Sequence, residues 1–171
     1  MSLWSPYEGW ERIHLRLLDG VSGLDSDALA LSLADGWPVW ALAAHVAGGR
    51  VYWLCGLLKE PGRETTPFGT LDDSGWEDDP EHPRSAEELA QSLQTSWTIM
   101  ESCLDRWTPT MLAERFERRY GDQLQSHTRS SVLTRLMTHD AYHTGEISLT
   151  LGSHGLPAVD PWDRPPPPAR G

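Results

Sequence analysis

The chain has 171 residues, 39% hydrophobic and 23% charged, as in an ordinary globular domain. Its formal net charge of −11 argues against nucleic acid and anionic membranes as partners. No apolar run approaches the roughly 20 residues of a membrane span, and the two cysteines predict no disulfide framework. The first residues lack the basic and apolar stretches of a secretory signal, so we expect a cytoplasmic location.

Two long helices are predicted in the first third of the chain. Apolar residues at helical spacing predict the first over about 6–19. The second begins near Pro38 and continues to about residue 58, and it is apolar on nearly all sides, which places it at the centre of the domain. Gly48 and Gly49 weaken this helix by on the order of 1 kcal/mol each. We expect close approach of a neighbouring backbone or side chain to offset that effect.

A long acidic loop is predicted over 60–84, where proline, glycine, threonine and acidic residues dominate. Phe68, Leu71 and Trp76 are its large apolar residues. Loops of this length inside a compact domain are lids, binding loops or mobile segments. A capping box at Ser85 then begins a third predicted helix over about 86–107.

The last part of the chain holds one ambiguous segment and one more helix. Residues 110–127 fit a hairpin, a short helix or an extended excursion, and a helix follows from about 130 to 152. We expect one domain over 1–163 and a proline-rich, disordered tail over 164–171. The pattern predicts an all-α fold, a four-helix bundle whose long loop permits up-down-down-up as well as up-down order.

Three of the seven histidines form the candidate metal site. His139 and His143 are four residues apart, so on a helix they stand one turn apart on the same face. Two imidazoles turned toward a core both need a polar partner, and one divalent metal ion bound by both can be that partner. His45 lies in the most apolar helix and is the candidate third ligand. Three protein ligands leave coordination positions for water or substrate, as in catalytic sites.

For the other polar residues near the histidine pair, the sequence predicts less specific roles. Glu146 shares the face of His143 and is the candidate catalytic residue, either orienting a ligating imidazole or acting as a general base. A carboxylate near solvent at the end of a helix is the plain alternative. Asp140 projects to a different side and can orient an imidazole. His14 also lies on an apolar helical face and can line the site.

Two motifs together resemble the DinB-like (YfiT-like) metalloenzyme superfamily. The run from Trp37 to Gly48, WPVWALAAHVAG, resembles the family's tryptophan-led helix with its first metal histidine. The run from His139 to Ile147, HDAYHTGEI, is similar to its second motif, two histidines four apart followed by glycine, Gln or Glu and an aliphatic residue.

The resemblance implies an up-down-down-up four-helix bundle, often a homodimer, with His45, His139 and His143 as ligands of nickel or zinc. Members with known chemistry include transferases and isomerases that use mycothiol, bacillithiol or glutathione. The run from Trp37 to Gly48 is similar to that of the mycothiol-dependent maleylpyruvate isomerases. The leading hypothesis is therefore a metal-dependent enzyme that activates a low-molecular-weight thiol, or water, for attack on a small-molecule electrophile. The alternatives are a non-catalytic metal- or ligand-binding stress or detoxification module and a helical bundle without metal.

Overall fold

Helices account for most of residues 3–68, 78–79 and 81–162, the part of the chain that this computed structural model describes. The α-helices are α1 (Trp4–Ser22), α2 (Ser26–Leu29), α3 (Val39–Val51), α4 (Ala86–Arg106) and α5 (Arg129–Ser153). A π-helical turn (Tyr52–Leu57) continues α3, and two short 3-10 turns cover Arg63–Thr65 and Met111–Ala113. The two strands are β1 (Arg115–Tyr120) and β2 (Gln123–Thr128).

Four long helices enclose the core. Helices α1 and α3 each pack against both α4 and α5. Nearly every residue of α3 is buried, as its uniformly apolar sequence predicts, and it lies centrally. Tryptophans and leucines from all four helices fill the interior between them. The predicted capping box at Ser85 is confirmed, since its side chain and that of Glu88 bond each other's backbone N–H groups.

A two-stranded antiparallel sheet makes the all-α, four-helix prediction wrong: the described residues form five α-helices and one β-hairpin. Strand β1 pairs with β2 from Arg115 opposite Thr128 to Tyr120 opposite Gln123. Gly121 has a φ of +55°, which glycine adopts without strain, and it forms a two-residue turn with Asp122. A hairpin was one of three alternatives for 110–127, and this glycine turn is the local feature that favours it.

The loop that follows the π turn is anchored at its start by Glu60. This carboxylate accepts hydrogen bonds from Arg106 at 2.8 Å, from Arg129 at 3.0 Å and from Trp107 at 3.0 Å. Burial alone would raise the pKa of Glu60, but the two arginines hold it below its usual value. The loop is therefore tied to α4 and α5 before it enters its acidic stretch.

Two predicted features fall outside the described residues: the proline-rich tail over 164–171, and Leu71 and Trp76 of the acidic loop. None of the described helices combines the length and apolar character needed to cross a membrane.

Candidate metal centre

Helices α3 and α5 bring His45, His139 and His143 together, and we call these three residues the histidine cluster. The nitrogens they offer all lie within 4.8 Å of one another. Nε2 of His45 lies 2.9 Å from Nε2 of His139, and the ring centres are 4.5–5.0 Å apart. The histidine pair predicted on one helix face and the histidine predicted on a second helix therefore converge on one point.

A glycine on α3 allows this approach. A Cβ atom built on Gly49 would lie 3.3 Å from Cε1 of His139, closer than ordinary carbon–carbon contact. For Gly49, this bears out the expectation that a neighbouring side chain approaches closely. On the other side, Trp37 meets His45 edge-on with ring centres 5.4 Å apart. Both contacts restrict the orientation of the imidazoles.

The Nδ1 atoms of the cluster face carboxylates. Nδ1 of His45 lies 2.8 Å from Asp78, and Nδ1 of His143 lies 3.0 Å from Glu146. Because an ionised carboxylate only accepts hydrogen bonds, Nδ1 of each imidazole carries the proton and donates it. The lone pair of each neutral ring is then on Nε2, the nitrogen left for a metal ion.

His139 does not form the hydrogen bond from Nδ1 to a carboxylate that His45 and His143 form. Its Nδ1 lies 4.0 Å from Oδ1 of Asp140, too long for a hydrogen bond. Within the described part of the chain, both of these buried atoms lack hydrogen-bond partners. If Nδ1 of His139 carries a proton, a small rotation of the imidazole would let it donate a hydrogen bond to Oδ1 of Asp140.

Asp140 is itself fixed by a buried ion pair that the sequence analysis missed. Its Oδ2 accepts hydrogen bonds from Arg50 at 2.9 Å and from Trp10 at 2.7 Å, and the side chains of both Arg50 and Asp140 are fully buried. Burial would raise the pKa of Asp140, but the Arg50 guanidinium holds it below its usual range. The only signal in the sequence was a single charged residue within the apolar run 37–58.

The cluster is partly accessible. The side chains of His45 and His139 are 25% exposed and that of His143 is 16% exposed. Burial is the main cause that lowers the pKa of His143, although the hydrogen bond to Glu146 opposes the shift. A neutral imidazole at physiological pH is the form that can ligate a metal.

Three other histidines are not part of the cluster. His14 is stacked on Trp97 in the core, 3.4 Å from Arg50, so it does not line the candidate site. Burial and the Arg50 charge lower its pKa to about 3. His127 lies on β2 against Trp53, and His154 is exposed at the end of α5. An apolar groove of about 570 Å³ lies along another face of α5 and includes none of the three clustered histidines.

Comparisons with known proteins agree with this architecture. The family model described as the DinB superfamily matches residues 10–147. The chain is also similar to the crystal structure of a DinB-like protein from Bacillus cereus ATCC 10987, with a TM-score of 0.64 and 20% sequence identity over 90% of this chain and 92% of that one. At that identity the likeness concerns the fold alone. No curated protein matches the sequence.

Proposed function

The chain belongs to the DinB superfamily, and we propose that it is a metal-dependent enzyme. In this proposal the histidine cluster binds one divalent ion, nickel or zinc. The enzyme activates a low-molecular-weight thiol, or water, for attack on a small electrophile. Mycothiol, bacillithiol and glutathione are the candidate thiols.

One observation carries the proposal: three imidazoles share a centre while two of them donate Nδ1–H to carboxylates. Imidazoles that ligate metals are commonly held in this way, because the carboxylate fixes the tautomer and makes the ring a better donor. The set of three nitrogens fits nickel or zinc, and it does not favour magnesium or calcium, which prefer oxygen ligands. A divalent ion held by neutral imidazoles would keep its full charge and act as a Lewis acid that lowers the pKa of a thiol or water.

The chain's own residues have separate roles in this scheme. His45, His139 and His143 supply the nitrogens, and Asp78 and Glu146 hold two of them in the required tautomer. Glu146 is 33% exposed and has a second carboxylate oxygen, so it is also the candidate acceptor for the proton released by the thiol or water.

The acidic loop is the candidate cover for a bound substrate. Asp78 belongs to this loop and contacts His45, so its far end reaches the cluster. Its near end is fixed through Glu60, and Phe68 is buried. In this proposal the described parts of the loop, which contact α4 and the histidine cluster, help to exclude water from the reacting groups.

Accessibility favours an enzyme over a sealed storage site, since every histidine of the cluster retains some exposure. The test is to load the protein with nickel or zinc and to screen the three thiols against monochlorobimane and maleylpyruvate. His143→Ala should abolish turnover, whereas His154→Ala, which changes an exposed histidine outside the cluster, should leave it intact. Equal turnover in the two variants, or none with any thiol, would contradict the thiol-dependent form of the proposal. Metal binding without turnover would favour the non-catalytic module.

A further inference from the structure

Two arginines and a tryptophan form a second cluster beside the first, which we call the arginine–tryptophan cluster. The guanidinium carbons of Arg118 and Arg135 lie 5.0 Å and 4.5 Å from the ring centre of Trp53. Arg118 comes from β1, Trp53 from the π turn after α3, and Arg135 from α5. No stretch of sequence contains all three, so only the fold reveals this concentration of positive charge.

Several arginines that the structure describes are neutralised by carboxylates. Arg50, Arg84, Arg106 and Arg129 each form an ion pair with a carboxylate. Within the described residues, no carboxylate pairs with Arg118 or Arg135. The residue opposite Arg118 in the sheet is the neutral Gln125. In a chain of net charge −11, two guanidiniums over one indole ring, with no carboxylate partner among the described residues, are unexpected.

Aromatic rings hold both charges at Trp53. Arg118 also lies over Tyr52 at 5.3 Å and over Tyr120 at 4.8 Å. Cation–π contact stabilises each guanidinium separately, but it does not relieve the repulsion between the two. The Nε atom of Arg118 is buried without a hydrogen-bond partner in the described part of the chain. An anion that contacts both guanidiniums would offset this repulsion.

The position of the arginine–tryptophan cluster indicates which anion it binds. Arg135 precedes His139 by four residues on α5, about 6 Å along the helix axis. On α3 and its π-helical continuation, Gly49 contacts His139 and Trp53, four residues later, contacts Arg135. The two clusters are therefore neighbours along the same pair of helices, within reach of one small molecule.

We propose that Arg118 and Arg135, held on Trp53, bind the carboxylate of the molecule whose reacting group enters the histidine cluster. The proposal rests on the proposed metal function and narrows its substrate or thiol to carboxylate-bearing compounds. Guanidinium–carboxylate pairing is directional and strong, which suits a group that positions a ligand.

The test compares two thiols of similar length, 3-mercaptopropionate and 3-mercapto-1-propanol, on the cobalt-loaded protein. Binding is followed by the thiolate-to-cobalt absorption band. The carboxylate compound should bind about tenfold more tightly. Arg118→Gln and Arg135→Gln should each remove most of that preference, and Arg135→Lys should retain part of it. Arg119→Gln is the matched control, because Arg119 is exposed and lies on the opposite face of β1.

A second measurement separates this proposal from the metal proposal. Propionate is titrated into the metal-free protein while the indole N–H resonance of Trp53, assigned with Trp53→Phe, is followed by NMR. A saturable shift of this resonance that Arg135→Gln abolishes would support the carboxylate subsite. This holds even if the cobalt-loaded protein binds no thiol, because failure to bind a thiol would count only against the metal proposal. Equal affinity for the two thiols with no indole shift, or an equal loss in Arg119→Gln, would overturn the inference. Circular dichroism of each variant identifies any that fail to fold.

Discussion

Replacing Gly49 with alanine should separate the stability of the fold from the affinity of the metal centre. The new Cβ would lie 3.3 Å from Cε1 and 3.8 Å from Nδ1 of His139. Carbon atoms in contact prefer about 3.5–4.0 Å, so the imidazole must retreat by roughly 0.3 Å. Metal–ligand distances tolerate about 0.2 Å, and disturbing the groups that orient a ligand weakens metal binding by about 10–100-fold. We therefore expect metal affinity to fall about tenfold.

The same substitution should leave the fold intact or stabilise it, because alanine in a helix interior is favoured over glycine by about 0.5–1 kcal/mol. Gly145→Ala on α5 is the matched control, since a Cβ there would meet nothing within 4 Å. Metal affinity is measured by competition with a chelating dye, and stability by thermal unfolding of the metal-free proteins. Unchanged affinity in Gly49→Ala, or an equal loss in Gly145→Ala, would show that the close approach at Gly49 does not position His139 for metal binding.

Three further outcomes follow from buried groups. Asp140→Asn should lower the free energy of unfolding by about 3–5 kcal/mol in urea titrations, because it leaves the Arg50 charge buried without its partner; a loss below about 1 kcal/mol would contradict this. The pKa of His14 is lowered from 6.5 to about 3, so between these values the unfolded chain takes up a proton that the native protein does not. Stability should fall by up to about 1.4 kcal/mol per pH unit on acidification below pH 6.5, with a shallower slope in His14→Phe; identical slopes would argue against the shift. Burial raises the pKa of Cys55 to about 11 and that of Cys103 to about 12, so neither thiol should react with Ellman's reagent until the protein unfolds, and rapid reaction of the native protein would count against that burial.

The long helices were predictable because their signals are local. The third helix was expected over about 86–107 and is found at Ala86–Arg106, where a capping box and apolar spacing both lie within the segment. The last was expected over about 130–152 and is found at Arg129–Ser153. The histidine pair on that helix was identifiable for the same reason, since spacing alone places both rings on one face.

Features that depend on distant contacts were not predictable in the same way. Arg50 is charged, and nothing local indicates that it is fully buried beside Asp140, which follows it by 90 residues. The contact between Asp78 and His45 joins residues 33 apart in the chain, which no local pattern indicates. In β1, Arg118 occupies the inward face because its guanidinium stacks on aromatic rings, so the strand lacks the apolar alternation by which strands are recognised.

The proposed function requires that three histidines hold one divalent metal ion. The most direct test is elemental analysis of the purified protein and of its His45→Ala, His139→Ala and His143→Ala variants, with His154→Ala as the control. We expect about one transition-metal ion per chain in the parent protein and in the control, and loss of most of that metal in each of the other three. A parent protein that holds no metal after incubation with nickel or zinc, or an unchanged stoichiometry in the three variants, would contradict it.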